Sequence, residues 1–281
     1  MIDFVKMHGS GNDFVMVDQF TGANQFAPSY PEAARKLCNR NFGIGADGLI
    51  LVLPSAKADF QMRIFNPDGS EAEMCGNGIR CFAKLVFDKG YAKDATFTVE
   101  TLAGIRSPLI VESGNPATLV EVKMGEPRLD RSQIPMLGPE GRVVDEVLDI
   151  DVARLRVTCV NMGNPHCVTF VDDVTAFDVE TIGPFVEENR AFPEHTNAEF
   201  VEVISKDELK MRVWERGAGE TLACGTGASA SVVAAVLNGL TDRKVTVHLL
   251  GGDLLIDWRE SDNVVKMTGP AEQVFTGQIE L

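Results

Sequence analysis

The sequence predicts an α+β protein of two pseudo-symmetric domains, each a curled, mainly antiparallel sheet around a central helix. Three observations predict it. Strand-like alternation dominates the chain, most of it joined by short turns, and each half holds one long helical run. The segment Glu71-Ala72-Glu73-Met74-Cys75-Gly76-Asn77-Gly78 is echoed by Glu220-Thr221-Leu222-Ala223-Cys224-Gly225-Thr226-Gly227, 149 positions later (224 − 75). Gly11-Asn12 and Gly163-Asn164, 152 positions apart (163 − 11), each head an apolar strand. Two nearly equal offsets favour duplication over a chance likeness of Gly-rich turns. The expected domains are 1–124 plus 268–281, carrying Cys75, and 125–267, carrying Cys224.

Period-two alternation predicts strands at Ile2–Met7, Phe14–Asp18, Leu49–Leu53, Phe60–Phe65, Thr96–Thr101, Ile105–Glu112 and Thr118–Met124. A helix is expected over Pro31–Asn39, with Ser29 as cap and Pro31 in the first turn. The central helix of the first half runs from Gly76 to Lys89 and stops at Gly90. The polar stretch from Gly125 to Asp151, rich in Pro and Gly between Pro135 and Gly141, reads as the interdomain connection. Strands then follow at Arg154–Val160, Cys167–Asp172, Ala198–Ile204 and Lys210–Trp214. The second central helix spans Gly225–Leu237, ending at Asn238-Gly239. The last strands are Val245–Leu250, Leu254–Trp258 and Val264–Met267, with Glu272–Leu281 returning to the first half.

The 281 residues are 44% hydrophobic and 24% charged, with mean hydropathy near zero, an ordinary soluble composition. The net charge of −15 opposes DNA, RNA and anionic membranes as partners, but not a small zwitterion met by local donors. No export signal opens the chain and no apolar run is long enough to span a bilayer, so a cytoplasmic location with reduced thiols is expected. Six cysteines without a C-x-x-C pair or zinc spacing give no metal site. Neither C-G-x-G turn fits a nucleotide fingerprint and no lysine has an evident Schiff-base setting, so no cofactor is expected.

A cysteine at a helix start lies at the positive end of the helix dipole, which favours its thiolate. The backbone N–H groups of Gly76-Asn77-Gly78 and Gly225-Thr226-Gly227 suit a carboxylate. If the two starts face one another, both could hold one substrate carboxylate, with its α-carbon between the sulfurs of Cys75 and Cys224. Such a pair could take a proton from one side and return one from the other, provided one sulfur is ionised and the other protonated. The competing reading, two small buried hydrophobes, fits Cys38, Cys81, Cys159 and Cys167 better. His166 could tune a thiol or be structural. Glu215-Arg216 could clamp a carboxylate or form a surface ion pair. Asn12, Asn66 and Asn197 stand at strand ends, as turn formers or as contacts for an ammonium and carboxylate. His8, His195, His248 and the methionines attract no functional reading.

Taken together, certain segments resemble diaminopimelate epimerases. They are Lys6-Met7-His8-Gly9-Ser10-Gly11-Asn12-Asp13-Phe14, Phe65-Asn66-Pro67-Asp68-Gly69-Ser70 and Met74-Cys75-Gly76-Asn77-Gly78-Ile79-Arg80-Cys81 in the first half. In the second half they are Gly163-Asn164-Pro165-His166, Asn197-Ala198-Glu199-Phe200, Trp214-Glu215-Arg216-Gly217 and Ala223-Cys224-Gly225-Thr226-Gly227. The resemblance covers essentially the whole chain. It implies an active site in the cleft between two domains and cofactor-independent conversion of LL-2,6-diaminopimelate to the meso isomer, in lysine and cell-wall precursor synthesis. By motif match, Cys75 and Cys224 would be the acid–base thiols, tuned by His166 and Glu215. Gly76, Asn77, Gly225 and Thr226 would hold the reacting carboxylate, and Asn12, Asn66, Asn164, Asn197 and Arg216 would bind the substrate, most of them at its distal end, with Glu215 beside them. A homodimer is implied as well. Two departures stand out: Gly48 where many members have glutamine, and Phe275 where many have a tyrosine at the dimer contact.

Three other readings stay open at this level. A proline-type racemase would not need Arg216 and Asn197; a redox sensor would use a Cys75–Cys224 disulfide; a non-catalytic binder would not need both cysteines.

Overall fold

The computed structural model describes residues 1–22, 29–112 and 117–281. They form two compact units, Met1–Lys123 with Thr268–Leu281, and Met124–Met267.

The first unit opens with a hairpin of β1 (Ile2–Gly9) and β2 (Asn12–Asp18), turned through Ser10 and Gly11. Both turn residues have positive φ, 53° and 83°, which favours glycine at the second. Helix α1 (Tyr30–Leu37) follows, started by Ser29, whose N–H donates to Glu32 Oε2 at 3.0 Å. Strand β3 (Gly48–Leu53) then lies parallel to β2, and β4 (Phe60–Phe65) antiparallel to β3. A short β5 (Glu71–Ala72) folds back on β4 and leads into α2 (Gly76–Asp88). After α2, β6 (Val99–Thr101) runs parallel to β4 and carries the hairpin partner β7 (Gly104–Arg106). Strand β8 (Leu109–Glu112) pairs antiparallel with β9 (Ala117–Gly125). The expected continuous strand Ile105–Glu112 is thus broken at Ser107-Pro108, where the proline offers no N–H to a ladder.

The second unit repeats this order. Strand β10 (Glu146–Ile150) pairs with β11 (Ala153–Asn161), which forms an antiparallel pair with β12 (Pro165–Phe170). Helix α3 (Val179–Glu187) precedes β13 (Asn197–Val203), parallel to β12. Strands β14 (Glu208–Glu215) and β15 (Gly219–Thr221) lead into α4 (Gly225–Leu237), and β16 (Lys244–Leu249) then lies parallel to β14. The hairpin closes with β17 (Gly252–Trp258), and β18 (Val265–Ile279) follows. Its distal part pairs antiparallel with β1, Ile279 opposite Ile2. In both units the two parallel joints fall where a helix makes the crossover a parallel pair requires. The result is a two-domain α+β fold.

Helix α4 is apolar nearly all round, as a central helix must be. Ala228, Ala230, Val232, Val233, Ala234 and Ala235 are buried among Val245, Val247, Leu254 and Ile256. Its bounds match the sequence expectation, and α2 ends one residue short of it.

Two segments depart from expectation. Helix α3 is absent from the expected elements, and it carries Gly183 and Pro184, both poor helix formers, inside it. Asp178 caps it, accepting from Thr181 N at 3.1 Å, and Gly183 lets Trp214 lie against it. A Cβ at position 183 would stand 2.5 Å from Trp214 Cγ. The polar stretch up to Asp151 is not a loose connection: it contains β10, and Ile134, Val143, Leu148 and Ile150 pack with Val157, Cys159 and Phe200. Its charged residues hide an alternation that buries only every second side chain of β10.

Candidate active site

Each unit places one cysteine at the cap of its central helix. Cys75 has extended backbone (φ −134°, ψ 124°), and its sulfur accepts from Gly78 N at 3.4 Å. Cys224 repeats this at α4 (φ −126°, ψ 109°), accepting from Gly227 N at 3.4 Å, with Thr226 Oγ1 also 3.4 Å from the sulfur. Both sulfurs therefore sit where unpaired helix N–H groups and the helix dipole concentrate positive potential. The glutamates four residues before each cysteine serve another purpose. Glu71 holds Arg63 with two bonds of 2.6 and 2.7 Å, and Glu220 holds Arg212 with two of 2.6 and 2.9 Å. These matched forks tie β5 to β4 and β15 to β14 just before each helix start.

In the first unit, Asn12 and Asn77 come to Cys75. The thiol lies 3.6 Å from Asn12 Oδ1, which also accepts from Asn77 Nδ2 at 3.3 Å. Asn12 is oriented by Asp47, which accepts from its Nδ2 at 2.7 Å. Asp13 beside it accepts from Lys6 and from Arg40 at 2.8 Å. Burial acts to raise the Asp13 carboxyl, but its bonds to Arg40, Lys6 and Asp47 outweigh it and hold the group at about 2 against an ordinary 3.8. A carboxyl lowered on folding stabilises above its unfolded value, and that contribution disappears as pH falls through the folded one. The melting-temperature gap between wild type and Asp13→Asn should therefore be open at pH 6 and narrow between about pH 4 and about pH 2. Thermal denaturation across that range checks it.

Asn66 follows β4 and enters a tight turn, its Nδ2 donating to Ser70 Oγ at 2.9 Å. No hydrogen bond in the described residues ties it to Cys75. Gly48, which opens β3 opposite Phe14, has little room for a side chain: a Cβ there would be 3.2 Å from Phe65 O.

The second unit gathers more. His166 and Glu199 are both fully buried, with Nδ1 and Oε1 2.7 Å apart. The other ring nitrogen is 3.0 Å from Asn164 Oδ1. Asn197 donates to Pro165 O at 2.8 Å and accepts from Arg216 N at 3.0 Å, while the Arg216 guanidinium reaches Glu194 O at 2.9 Å. Glu215 accepts from Thr221 Oγ1. Burial pushes the Cys224 thiol well above its ordinary range, and the charges of Glu215 and Glu199 push the same way, against the bonds from Thr226 and Gly227. Burial also raises Glu199, opposed by His166.

Cys38, Cys81, Cys159 and Cys167 are buried, as expected of core cysteines. Burial raises Cys38 and Cys81 to about 12. Two residues that carry no role in the sequence reading stand in this setting: Glu199, and Arg80 on α2, which has no exposed surface. The signal for Glu199 was a carboxylate inside the fully buried run Asn197–Val201. Among the described residues no three His, Cys, Asp or Glu side chains gather as a metal site would need. No helix there is long and apolar enough to cross a membrane.

Comparison with known proteins places this geometry. The family model for diaminopimelate epimerase matches residues 4–129 and 158–274. A diaminopimelate epimerase of Desulfitobacterium hafniense is 60% identical over 276 residues, 98% of this chain and 97% of that one. One from Moorella thermoacetica is 57% identical, covering 99% of both chains. Among solved structures, a probable proline racemase from Agrobacterium radiobacter superposes with a TM-score of 0.72 at 16% identity, covering 100% of this chain and 93% of that one. A phenazine biosynthesis protein of the PhzF family from Bacillus anthracis gives 0.68 at 18%, covering 100% and 99%. These two share the fold. On the strength of the family model and the close relatives, the chain belongs to the diaminopimelate epimerase family.

Proposed function

We propose that Cys75 and Cys224 are the two acid–base thiols with which this family member epimerises LL-2,6-diaminopimelate to the meso isomer, without a cofactor. The observation that carries the reading is the repeated cap: two cysteines at equivalent helix starts, each bonded to the N–H three residues on. An α-proton is very weakly acidic, so a thiolate removes it only where charge developing on the carboxylate is stabilised and the reacting atoms are held close. In this reading the N–H groups of Gly76, Asn77, Gly225 and Thr226 take that carboxylate, with the α-carbon between the two sulfurs. One sulfur accepts the proton as the C–H bond breaks. The other delivers its own to the opposite face, and the configuration inverts. Asn12, Asn66, Asn164, Asn197 and Arg216 bind the substrate, mostly through its distal amino and carboxylate groups, and His166 and Glu215 tune the thiols.

The test is chiral chromatography of LL-diaminopimelate and of proline after incubation with reduced protein and no additive. The reading expects meso product from the first and no racemisation of the second. Proline turnover with an inert diaminopimelate would replace it with the racemase reading. Removing the proposed distal carboxylate clamp should cost about 1.5–3 kcal/mol, the worth of a charged hydrogen bond. Arg216→Met should thus lower kcat/KM by roughly 10- to 150-fold, mainly through KM, in steady-state assays.

The chain acts as a homodimer in the cytoplasm, where its six thiols stay reduced. Its charge of −15 opposes nucleic acids and anionic membranes as partners. Val274 and Phe275 are exposed on β18, with Phe275 edge-on to Phe4 at 5.9 Å, an apolar patch suited to the dimer contact. Phe275→Ser should shift sedimentation velocity from dimer toward monomer.

A further inference from the structure

The two units carry opposite chemistry behind equivalent cysteines. A Cβ built at Gly227 would stand 2.7 Å from Glu199 Oε1 and 3.3 Å from Cys224 Sγ. Carboxylate and sulfur therefore lie no more than about 6 Å apart, the two distances end to end, within the range where like charges oppose one another's ionisation. A Cβ built at the equivalent Gly78 would meet Ile50 Cδ1 at 2.9 Å, Cys75 Cβ at 3.4 Å and Phe14 Cζ at 3.5 Å. Thus Ile50 and Phe14 stand in the first unit where Glu199 and His166 stand in the second. The strand registers agree: Ile50 lies opposite Met16, two residues beyond Phe14, and Glu199 opposite Val168, two beyond His166.

The first unit has its charge elsewhere, and of the other sign. Arg80, fully buried on α2, donates to Gly76 O at 3.1 Å and Asn77 Oδ1 at 3.0 Å, in the turn that Cys75 caps. It also donates to Ser10 Oγ and Pro270 O. An arginine stays protonated even when buried. Ser229 holds the equivalent place on α4 and donates to Gly225 O at 2.8 Å, so Cys224 has no matching cation there.

We propose that Glu199, held by His166, is a positioning residue that keeps Cys224 as the protonated thiol, while Arg80 favours thiolate at Cys75. This rests on the two-thiol reading and assigns the resting state of each sulfur. Cys224 is faced by Thr226 and Gly227 on its own helix, Glu215 on β14 and Glu199 on β13. The two hydrogen bonds favour its thiolate, and both carboxylates and burial oppose it. Glu199 is in turn faced by His166 on β12 and Glu215, and its charge also reaches Cys167. A purely structural pair would be served by the apolar side chains the first unit uses. Instead Glu199 Oε2 is buried with no hydrogen-bond partner among the described residues, a costly arrangement for packing alone. In the resting enzyme Cys75 is then the base: its sulfur takes the α-proton, and the Cys224 S–H bond breaks to supply the other face, leaving thiolate at Cys224.

The experiment is the pH dependence of iodoacetamide alkylation from pH 6 to 10, read by peptide mass spectrometry. Cys75→Ala protein reports Cys224 alone, and Cys224→Ala protein reports Cys75 alone. At pH 8, Cys75 should react at a fraction of its high-pH plateau at least ten times that of Cys224. In the Cys75→Ala background, Glu199→Gln should raise the Cys224 fraction at pH 8 by threefold or more. The combination of His166→Phe with Glu199→Ile, which copies the first unit and replaces a buried pair by apolar groups, should do the same and guards against a misfolded single variant. A Cys224 midpoint at or below that of Cys75, or one unmoved in the folded Glu199 variants, would overturn the proposal. Because alkylation requires no turnover, the result stands apart from whether the two thiols epimerise diaminopimelate.

Discussion

Cys75→Ala and Cys224→Ala are each expected to lower turnover of LL-diaminopimelate by about a thousandfold or more, within the upper range for losing an acid or base. Inversion needs a proton removed on one face and supplied on the other, and in the proposed mechanism each thiol serves only one. The loss should fall on kcat, because in the proposed mechanism both cysteines act in the transition state while the carboxylate donors are backbone groups that survive the change. Folding should be little affected, since each variant removes one sulfur and keeps the helix. Circular dichroism and steady-state kinetics on both variants check this. Near-normal epimerisation by either would remove that cysteine from the chemistry.

His166→Ala should have the largest effect on stability. It removes the partner of Glu199 Oε1 from a carboxyl that is fully buried and whose Oε2 has no partner among the described residues. Breaking a buried pair costs about 3–5 kcal/mol, and uptake of a proton by Glu199 limits the loss to the lower figure. A loss of about 3 kcal/mol lowers the melting temperature by roughly 6–12 °C in a chain of this size. The pH dependence has a definite sign. Burial raises the folded-state carboxyl of Glu199 above its ordinary 4.5, and removal of His166 raises it further. A carboxyl raised on folding leaves stability intact below its unfolded value and erodes it as pH climbs toward the folded one. The variant should therefore melt progressively lower, relative to wild type, as pH rises from about 4.5 toward neutrality. Calorimetry at several pH values measures it, and an unchanged melting temperature would mean the pair is not holding a charge.

Much of this arrangement was legible in the sequence because duplication doubles every signal. The matched C-G-x-G turns located both central helices, and α4 follows the expected bounds, since Gly225 and Asn238-Gly239 punctuate an apolar run. The neighbours of each cysteine were less legible. Asn12 and Asn77 approach Cys75 through a hairpin and a helix start, a meeting that depends on the register of β1 with β2. The glutamates before each cysteine drew attention as a pair, yet their partners Arg63 and Arg212 lie on neighbouring strands, eight residues back. Glu199 went unremarked because a lone carboxylate in a strand reads as solvent-facing, and only the parallel pairing of β12 with β13 brings His166 to it. Arg80 carries no role in the sequence reading, since nothing local marks a helix arginine as one whose side chain is entirely enclosed. Helix α3 and strand β10 were hidden for local reasons, a Gly-Pro pair inside one and alternating charges along the other.

The central claim is that two thiols, each on its own face of the reacting carbon, share one inversion. Its most direct measurement is the initial-rate reaction of LL-diaminopimelate in heavy water, with substrate and product separated and weighed by mass spectrometry. The account predicts one deuterium in the meso product and essentially none in recovered LL substrate, because the proton taken by one sulfur is not the one returned by the other. Equal labelling of both from the first turnovers, or a meso product free of deuterium, would contradict it.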